Sequence, residues 1–215
     1  MSKTIQMPMF PLGMVAFPGE NVNLHVFEPR YRQLINECDE EGSTFGLPAF
    51  IEKKLMMIGT EMELLSIEKK YPNGEMDIKT RGIGLFKIVD FYPKTENRLY
   101  GSADIKRIEH DTDSNLLLNQ QIYTYVHELF DVLSINKPLP KLDSDFNTYL
   151  LGHHVGFNIE QEYEFLKIVA EEDRQYFMLS HLERLIPLVR EMHNLQERAK
   201  LNGHFKHLQG PDFEV

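Results

Sequence analysis

The stretch Asn21-Val22-Asn23-Leu24-His25-Val26-Phe27-Glu28-Pro29-Arg30-Tyr31-Arg32-Gln33-Leu34-Ile35-Asn36-Glu37-Cys38 changes its hydrophobic period part-way along. Val22, Leu24 and Val26 alternate with Asn21, Asn23 and His25, the period of two that marks a half-buried strand. Beyond Glu28 the period lengthens. Tyr31, Leu34, Ile35 and Cys38 fall at i, i+3, i+4 and i+7, one face of a helix. Pro29 suits the first helical position, where its missing N–H costs nothing, and Gly42 is the expected stop. Glu28 places a negative charge at the positive end of the helix dipole.

Outward from this switch the two halves of the chain differ in kind. Residues 7–19, Met-Pro-Met-Phe-Pro-Leu-Gly-Met-Val-Ala-Phe-Pro-Gly, combine strand formers with prolines that forbid a central ladder position, so an edge strand or a bent strand is expected. From about 55 to 109 strands return. Met62, Leu64 and Ser66 share a face, Pro72-Asn73-Gly74 turns the chain, and Met76, Ile78 and Thr80 alternate again to complete a hairpin. Gly82-Ile83-Gly84 precedes Leu85 to Val89, and Leu99 to Ile108 supplies a last strand. Past about residue 112 the period is helical. Leu118, Ile122, Val126, Leu129 and Leu133 predict a helix over 114–134. Asp143 or Ser144 is the expected cap of a short helix bearing Phe146, Tyr149 and Leu150. Asn158 with Gln161 forms a capping-box pair ahead of a helix to about Ala170. Met178, Leu182, Leu185, Val189, Met192 and Leu195 keep one face across Pro187, so a single helix, kinked at that proline, is expected from about Asp173 to Asn202, with Gly203 as its stop.

The fold class is therefore α+β: a strongly bent β-sheet or partial barrel with one inserted helix over 1–110, followed by a helical bundle over 111–215. The only candidate linker, His110 to Ser114, is short, so the halves are expected to pack together and to unfold together.

Composition limits the function. The 215 residues carry 42% hydrophobic and 26% charged residues, ordinary for a globular protein, and chains of this size bury about 70% of their unfolded surface. The net charge is −10, and residues 1–110 hold 14 basic against 16 acidic residues. Nucleic-acid binding is not expected, because it needs clustered Lys and Arg to displace counterions. Cys38 is the only cysteine, so no intramolecular disulfide can form. That, with an N-terminus unlike a secretory leader and no apolar run of membrane-spanning length, makes a cytoplasmic protein the expectation.

No catalytic, cofactor or metal site is expected. There is no Gly-x4-Gly-Lys-Ser/Thr loop, and the position where Gly82-x-Gly84 would need its next glycine is Lys87. His127-Glu128 lacks the second histidine of a zinc-protease helix, and His153 and His154 are adjacent and diverge on a helix. His204 and His207 are read as part of a solvated tail. Ser180-His181 sits mid-helix, where neighbouring side chains diverge, and no Gly-x-Ser-x-Gly elbow exists. Cys38, on the apolar helix face, reads as a small buried hydrophobe. What remains is binding. There are ten methionines, and Met7, Met9, Met14, Met56 and Met57 are the candidate polypeptide-binding residues. Methionine adapts its shape to varied apolar partners, although filling core gaps is its commoner use.

The strings Phe10-Pro11-Leu12, Phe17-Pro18-Gly19 and Leu24-His25-Val26-Phe27-Glu28-Pro29-Arg30-Tyr31-Arg32 closely resemble the N-terminal substrate-binding domain of Lon-type ATP-dependent proteases. Phe45-Gly46 and the pattern Asp77-Ile78 with Gly82 fit as well. The resemblance covers about residues 7–110. It implies a PUA-like pseudo-barrel followed by a helical bundle, and recognition of unfolded or damaged polypeptides, with a protease component as a further expected partner. The ATPase and serine–lysine peptidase parts lie downstream in full proteases, so a non-enzymatic module or adaptor is the expectation here. Leu85 stands before Phe86 where family members often carry arginine. The tryptophan cage of cereblon-like relatives has no counterpart, since the chain has no tryptophan. Arg30 or Arg32 is expected to pair with a carboxylate under the sheet. Two rival readings stay open: a PUA-like RNA-binding protein, and an enzyme using a pocket between the halves.

Overall fold

In the computed structural model, which describes residues 4–143 and 146–205, six strands form one antiparallel sheet and four α-helices complete the molecule. The strands are β1 (Ile5–Pro8), β2 (Asn21–Val26), β3 (Phe45–Ile51), β4 (Lys54–Lys70), β5 (Met76–Tyr92) and β6 (Ser102–Ile108). Their order is β1-β6-β5-β4-β3, with β2 beside the first half of β5. Helix α1 (Pro29–Glu41) lies between β2 and β3; α2 (Leu116–Leu133), α3 (Ile159–Leu166) and α4 (Glu171–Phe205) follow the sheet, with a 3-10 turn at Thr148–Leu151.

The period switch is realised as read. Helix α1 buries Tyr31, Leu34, Ile35 and Cys38, begins at Pro29 and ends on Gly42 in the left-handed region. The hairpin turns through Gly74 at φ 83° and joins two 17-residue strands. Asn158 and Gln161 form the reciprocal capping box of α3.

One strand goes unread in sequence and three local readings change. The segment 45–51 is a strand although it does not alternate: Phe45 to Ala49 are all buried, so both faces of β3 are covered and the period of two disappears. Gly82 and Gly84 do not divide two strands but lie inside β5, because a Cβ on Gly82 would stand 2.3 Å from the Phe17 carbonyl oxygen, where the chain crosses the sheet. The cap of the 3-10 turn is Asn147, whose side chain accepts from Tyr149 N; Ser144 lies outside the described residues. Finally α4 runs through Gly203 to Phe205.

The segment after β1 bridges the two ends of the sheet. Met9 N donates to Gly101 O beside β6, while the next residue, Phe10, donates to Gly46 O on β3. Parallel bridges pair Met9 with Gly46 and Leu12 with Ala49. Two neighbouring residues thus stitch the opposite edges of an open sheet into a pseudo-barrel. β1 is the terminal strand of the sheet, as its prolines predict, and past Pro8 the backbone bonds Gly101 on one side and Gly46 and Pro48 on the other, which leaves little open edge there. Pro48 fits β3 because that strand is the sheet's edge, and its carbonyl accepts from Leu12 N.

Three core clusters result. One packs α1 against β2–β5 around Leu34, Phe45 and Met62. A smaller one fills the barrel with Met7, Met9, Phe86 and Ile105. The largest combines Val15, Phe17, Ala49, Ile51 and Leu85 from the sheet half with residues of α2, α3 and α4. Phe17 is its joint, stacked on Tyr149 at 5.6 Å and edge-on to Phe165 at 5.7 Å. Glu171 and Arg174, both fully buried, brace the helical side: Arg174 bonds Glu171 and the carbonyls of Asp111, Ile168 and Val169, and Thr148 N donates to Glu171.

Candidate functional site

The seam sets up a concavity. Met9 and Pro11 form its floor, and Arg30 and Tyr31 enter from the first turn of α1. Phe50 at the end of β3 and Leu55 at the start of β4 face each other across the strand pair, and Phe91, Pro93, Leu99 and Gly101 come from the end of β5 and the loop to β6. The cavity volume is ≈ 300 Å³, at the lower end of small ligand pockets, about 300–1,000 Å³. It is mostly apolar, and its walls are exposed: Leu99 65%, Phe50 46% and Phe91 37%. Large apolar side chains clustered in the open mark an interaction site more often than chance exposure does.

The groove is held from behind. Tyr31 stacks on Phe10 at 3.9 Å, and the Arg30 guanidinium lies 4.4 Å over the Tyr31 ring. Leu99 N donates to Gln33 Oε1 at 2.9 Å, Gln33 donates to Glu37, and Glu37 accepts from the Tyr100 hydroxyl and pairs with Arg98 at 3.1 Å. These contacts tie the loop that carries Leu99 to α1. Burial and then the Glu37 hydrogen bond keep the Tyr100 phenol protonated far above its usual range. Burial likewise raises Tyr31.

The five candidate methionines do not share one surface. Met7 and Met9 are 2% and 1% exposed and belong to the barrel core, which corrects their expected place on an open face: the stitched seam turns them inward. Met14 packs on the α1 core and Met56 on the helical core, both half-buried. Met57 is 45% exposed. Of the five, Met9 lines the groove.

Arg30 and Arg32 reach no carboxylate under the sheet. Arg30 bonds Glu28 Oε2 through Nε at 2.9 Å and Nη2 at 2.8 Å, and Arg32 Nη1 donates to Asn73 O at 2.6 Å. In sequence, Phe27 to Arg32 carries the signal of a helix start and none that marks Arg30 and Tyr31 as groove residues. Their place in the groove comes from the packing of Tyr31 on Phe10, a contact 21 residues apart that no local pattern encodes.

The other sequence candidates fall elsewhere. His181 Nε2 lies 2.9 Å from Val155 O, away from any pairing with Ser180. Cys38 is buried, and burial raises its thiol despite the Ser43 hydrogen bond. Glu128 pairs with Arg190. Among the described residues no group of three or more His, Cys, Asp or Glu side chains could hold a metal ion; His207 and the side chain of His204 lie outside them. A cleft between the halves, ≈ 290 Å³, brings Glu63, Arg81, His110 and Asn147 together. There burial, then the Arg174 charge, lowers His110 and keeps it neutral. No described helix is long and apolar enough to cross a membrane.

The stitched antiparallel sheet thus carries an apolar groove over its seam. Residues 6–184 match the family model of the ATP-dependent protease La (LON) substrate-binding domain. The chain belongs to that family. Among solved structures, a Lon N-terminal domain protein from Xanthomonas campestris aligns with TM-score 0.65 at 19% identity, covering 82% of this chain and 98% of that one. The N-terminal domain of a Mycobacterium avium complex Lon protease aligns with TM-score 0.59 at 12% identity, covering 83% and 98%. At these identities the likeness bears on the fold, and it agrees with the α+β architecture.

Proposed function

We propose that this chain is a non-enzymatic, cytoplasmic recognition module that takes apolar segments of unfolded or damaged polypeptides into the seam groove and serves protein quality control as an adaptor. One observation carries the reading: Phe50, Phe91 and Leu99, from separated parts of the chain, remain open to solvent and converge with half-buried Leu55 over Met9 and Tyr31. A folded client hides such side chains, and an unfolded one offers them. The seam backbone is already paired, so recognition there runs through side chains rather than through an added strand. Met57, two residues beyond Leu55 on β4, extends the apolar wall, and Met9 forms its floor; Met7, Met14 and Met56 pack into the three cores instead.

The test compares one client in two states. A permanently unfolded, carboxymethylated protein should be retained by the immobilised chain, and its native form should not. Neither should be cleaved, with or without ATP. Equal retention of both forms contradicts unfolded-segment recognition, and turnover that survives repurification contradicts the non-enzymatic part.

A further inference from the structure

Helix α4 outlasts the body it packs on. Its first half is held: Met178, Leu182 and Ile186 are buried in the helical core, and Leu185 and Val189 lie half-buried against it. Arg190 pairs with Glu128 of α2, which fixes the rotation of the helix where it leaves that core. From there on, Glu191 to Ala199 are all exposed. The apolar face read in sequence across Pro187 nevertheless continues. Leu188 is 59% exposed, Met192 60% and Leu195 56%. With Leu185 before them and Ala199 after, they recur at alternating intervals of three and four residues. That spacing, about 3.5 residues on average, is the narrow seam of a coiled coil. Uncovered on a helix in the open, such a seam marks a contact with another helix.

The charges beside the seam choose that helix. At 100° per residue, Glu191 and Arg198 border it on one side, and Val189 and Gln196 border it on the other. Arg190, bound to Glu128, lies on the opposite side of the helix, so the seam faces outward. Against a second copy running antiparallel, Met192 faces Leu195 of that copy and Leu188 faces its Ala199. Each Glu191 then meets the other copy's Arg198, and the two-fold axis makes this pair twice. A parallel copy would set Glu191 against Gln196 and match no charge.

We propose that the exposed part of α4 is a self-association surface, on which two copies of this chain pair antiparallel through Leu188, Met192 and Leu195, with Glu191 and Arg198 setting orientation and register. Three large apolar residues per helix make a small interface, so the dimer belongs with the weak, concentration-dependent assemblies. The surface shares no residue with the seam groove and does not depend on it.

Sedimentation equilibrium of the full chain, at loadings from about 10 μM to 1 mM, tests this. The weight-average mass should climb with concentration from the monomer towards the dimer. Met192→Asp should hold it at the monomer throughout. Glu191→Arg and Arg198→Glu each put like charges into both pairs and should each weaken the dimer about fivefold or more. The double variant Glu191→Arg/Arg198→Glu should restore it. Leu99→Asp, in the seam groove, should change nothing. All the substituted side chains are exposed, so each variant should keep the wild-type melting temperature. A chain that stays monomeric at the highest loading or assembles past the dimer overturns the proposal. So does a dimer that survives Met192→Asp, one indifferent to both single charge reversals, or a double variant that associates no better than the single ones.

Discussion

Gly152 lies so close to the ring of Phe17 that a Cβ on it would stand 2.3 Å from Phe17 Cε2. Phe17 is fully buried at the joint between the sheet and the helices, its ring packed against Tyr149 and Phe165. The ring has no room to retreat. Gly152→Ala should therefore destabilise the fold by about 1–3 kcal/mol, the usual cost of overpacking. Thermal denaturation checks this, and a melting temperature within a degree of wild type would show that the joint yields.

The same joint bears on cooperativity. The largest core cluster draws side chains from both sides of residue 110, so the two halves should unfold as one. Cys38, buried at 2% exposure in the α1 core, reports the sheet half. Far-ultraviolet circular dichroism is dominated by α2 and α4. Thiol labelling and helix signal should give the same denaturant midpoint, and two separated midpoints would establish independent domains.

His153 joins Glu20, at 3.2 Å, to Glu162, at 2.7 Å. Burial alone would lower its pKa, but the hydrogen bonds to Glu162 and Glu20 outweigh it and raise the value to about 9. A folded value above the unfolded one, about 6.5, means the charged ring stabilises the fold fully below that pH. The contribution declines through the interval and is lost as pH rises past about 9. Wild type should lose stability between pH 7 and 9.5 more steeply than His153→Gln, as read by urea midpoints. Parallel pH profiles would remove the clasp from the account.

Met56 and Met57 are neighbours with different surroundings: Met56 packs on the helical core and Met57 is 45% exposed. Met56→Ser should lower stability by about 1–3 kcal/mol. Met57→Ser should leave the melting temperature almost unchanged and weaken binding of an unfolded client by about 0.5–1 kcal/mol. The reverse pattern would place Met57 in the core and take it off the binding surface.

Much of the fold is legible in local pattern, and the groove is not, for a physical reason. Pro29, the Tyr31–Cys38 face, Pro72-Asn73-Gly74 and the Asn158–Gln161 pair each encode structure within a few residues, and each forms as read. Strand β3 escapes because burial on both faces erases its alternation, and Gly82 misleads because its reason is a crossing by Phe17, 65 positions away in sequence. The groove depends on longer relations still. Met9, Tyr31, Phe50, Leu55, Phe91 and Leu99 meet only because Met9 and Phe10 bridge the two ends of the sheet. Composition drew attention to methionines, yet the seam buries two of the five, and the open surface is made by phenylalanine and leucine instead.

The central claim is that unfolded chains dock in the seam groove, and affinity measured on matched surface variants tests it most directly. Leu99 is 65% exposed in the groove and Leu117 is 75% exposed at the start of α2, so aspartate at either position should leave the fold intact. Anisotropy of a fluorescent apolar peptide, titrated with each variant, gives the comparison. Leu99→Asp should weaken binding about tenfold or more, as expected when a hot-spot apolar contact is replaced by a charge, while Leu117→Asp matches wild type. Equal affinities for wild type and Leu99→Asp, with both still folded, would place the polypeptide site elsewhere on the molecule.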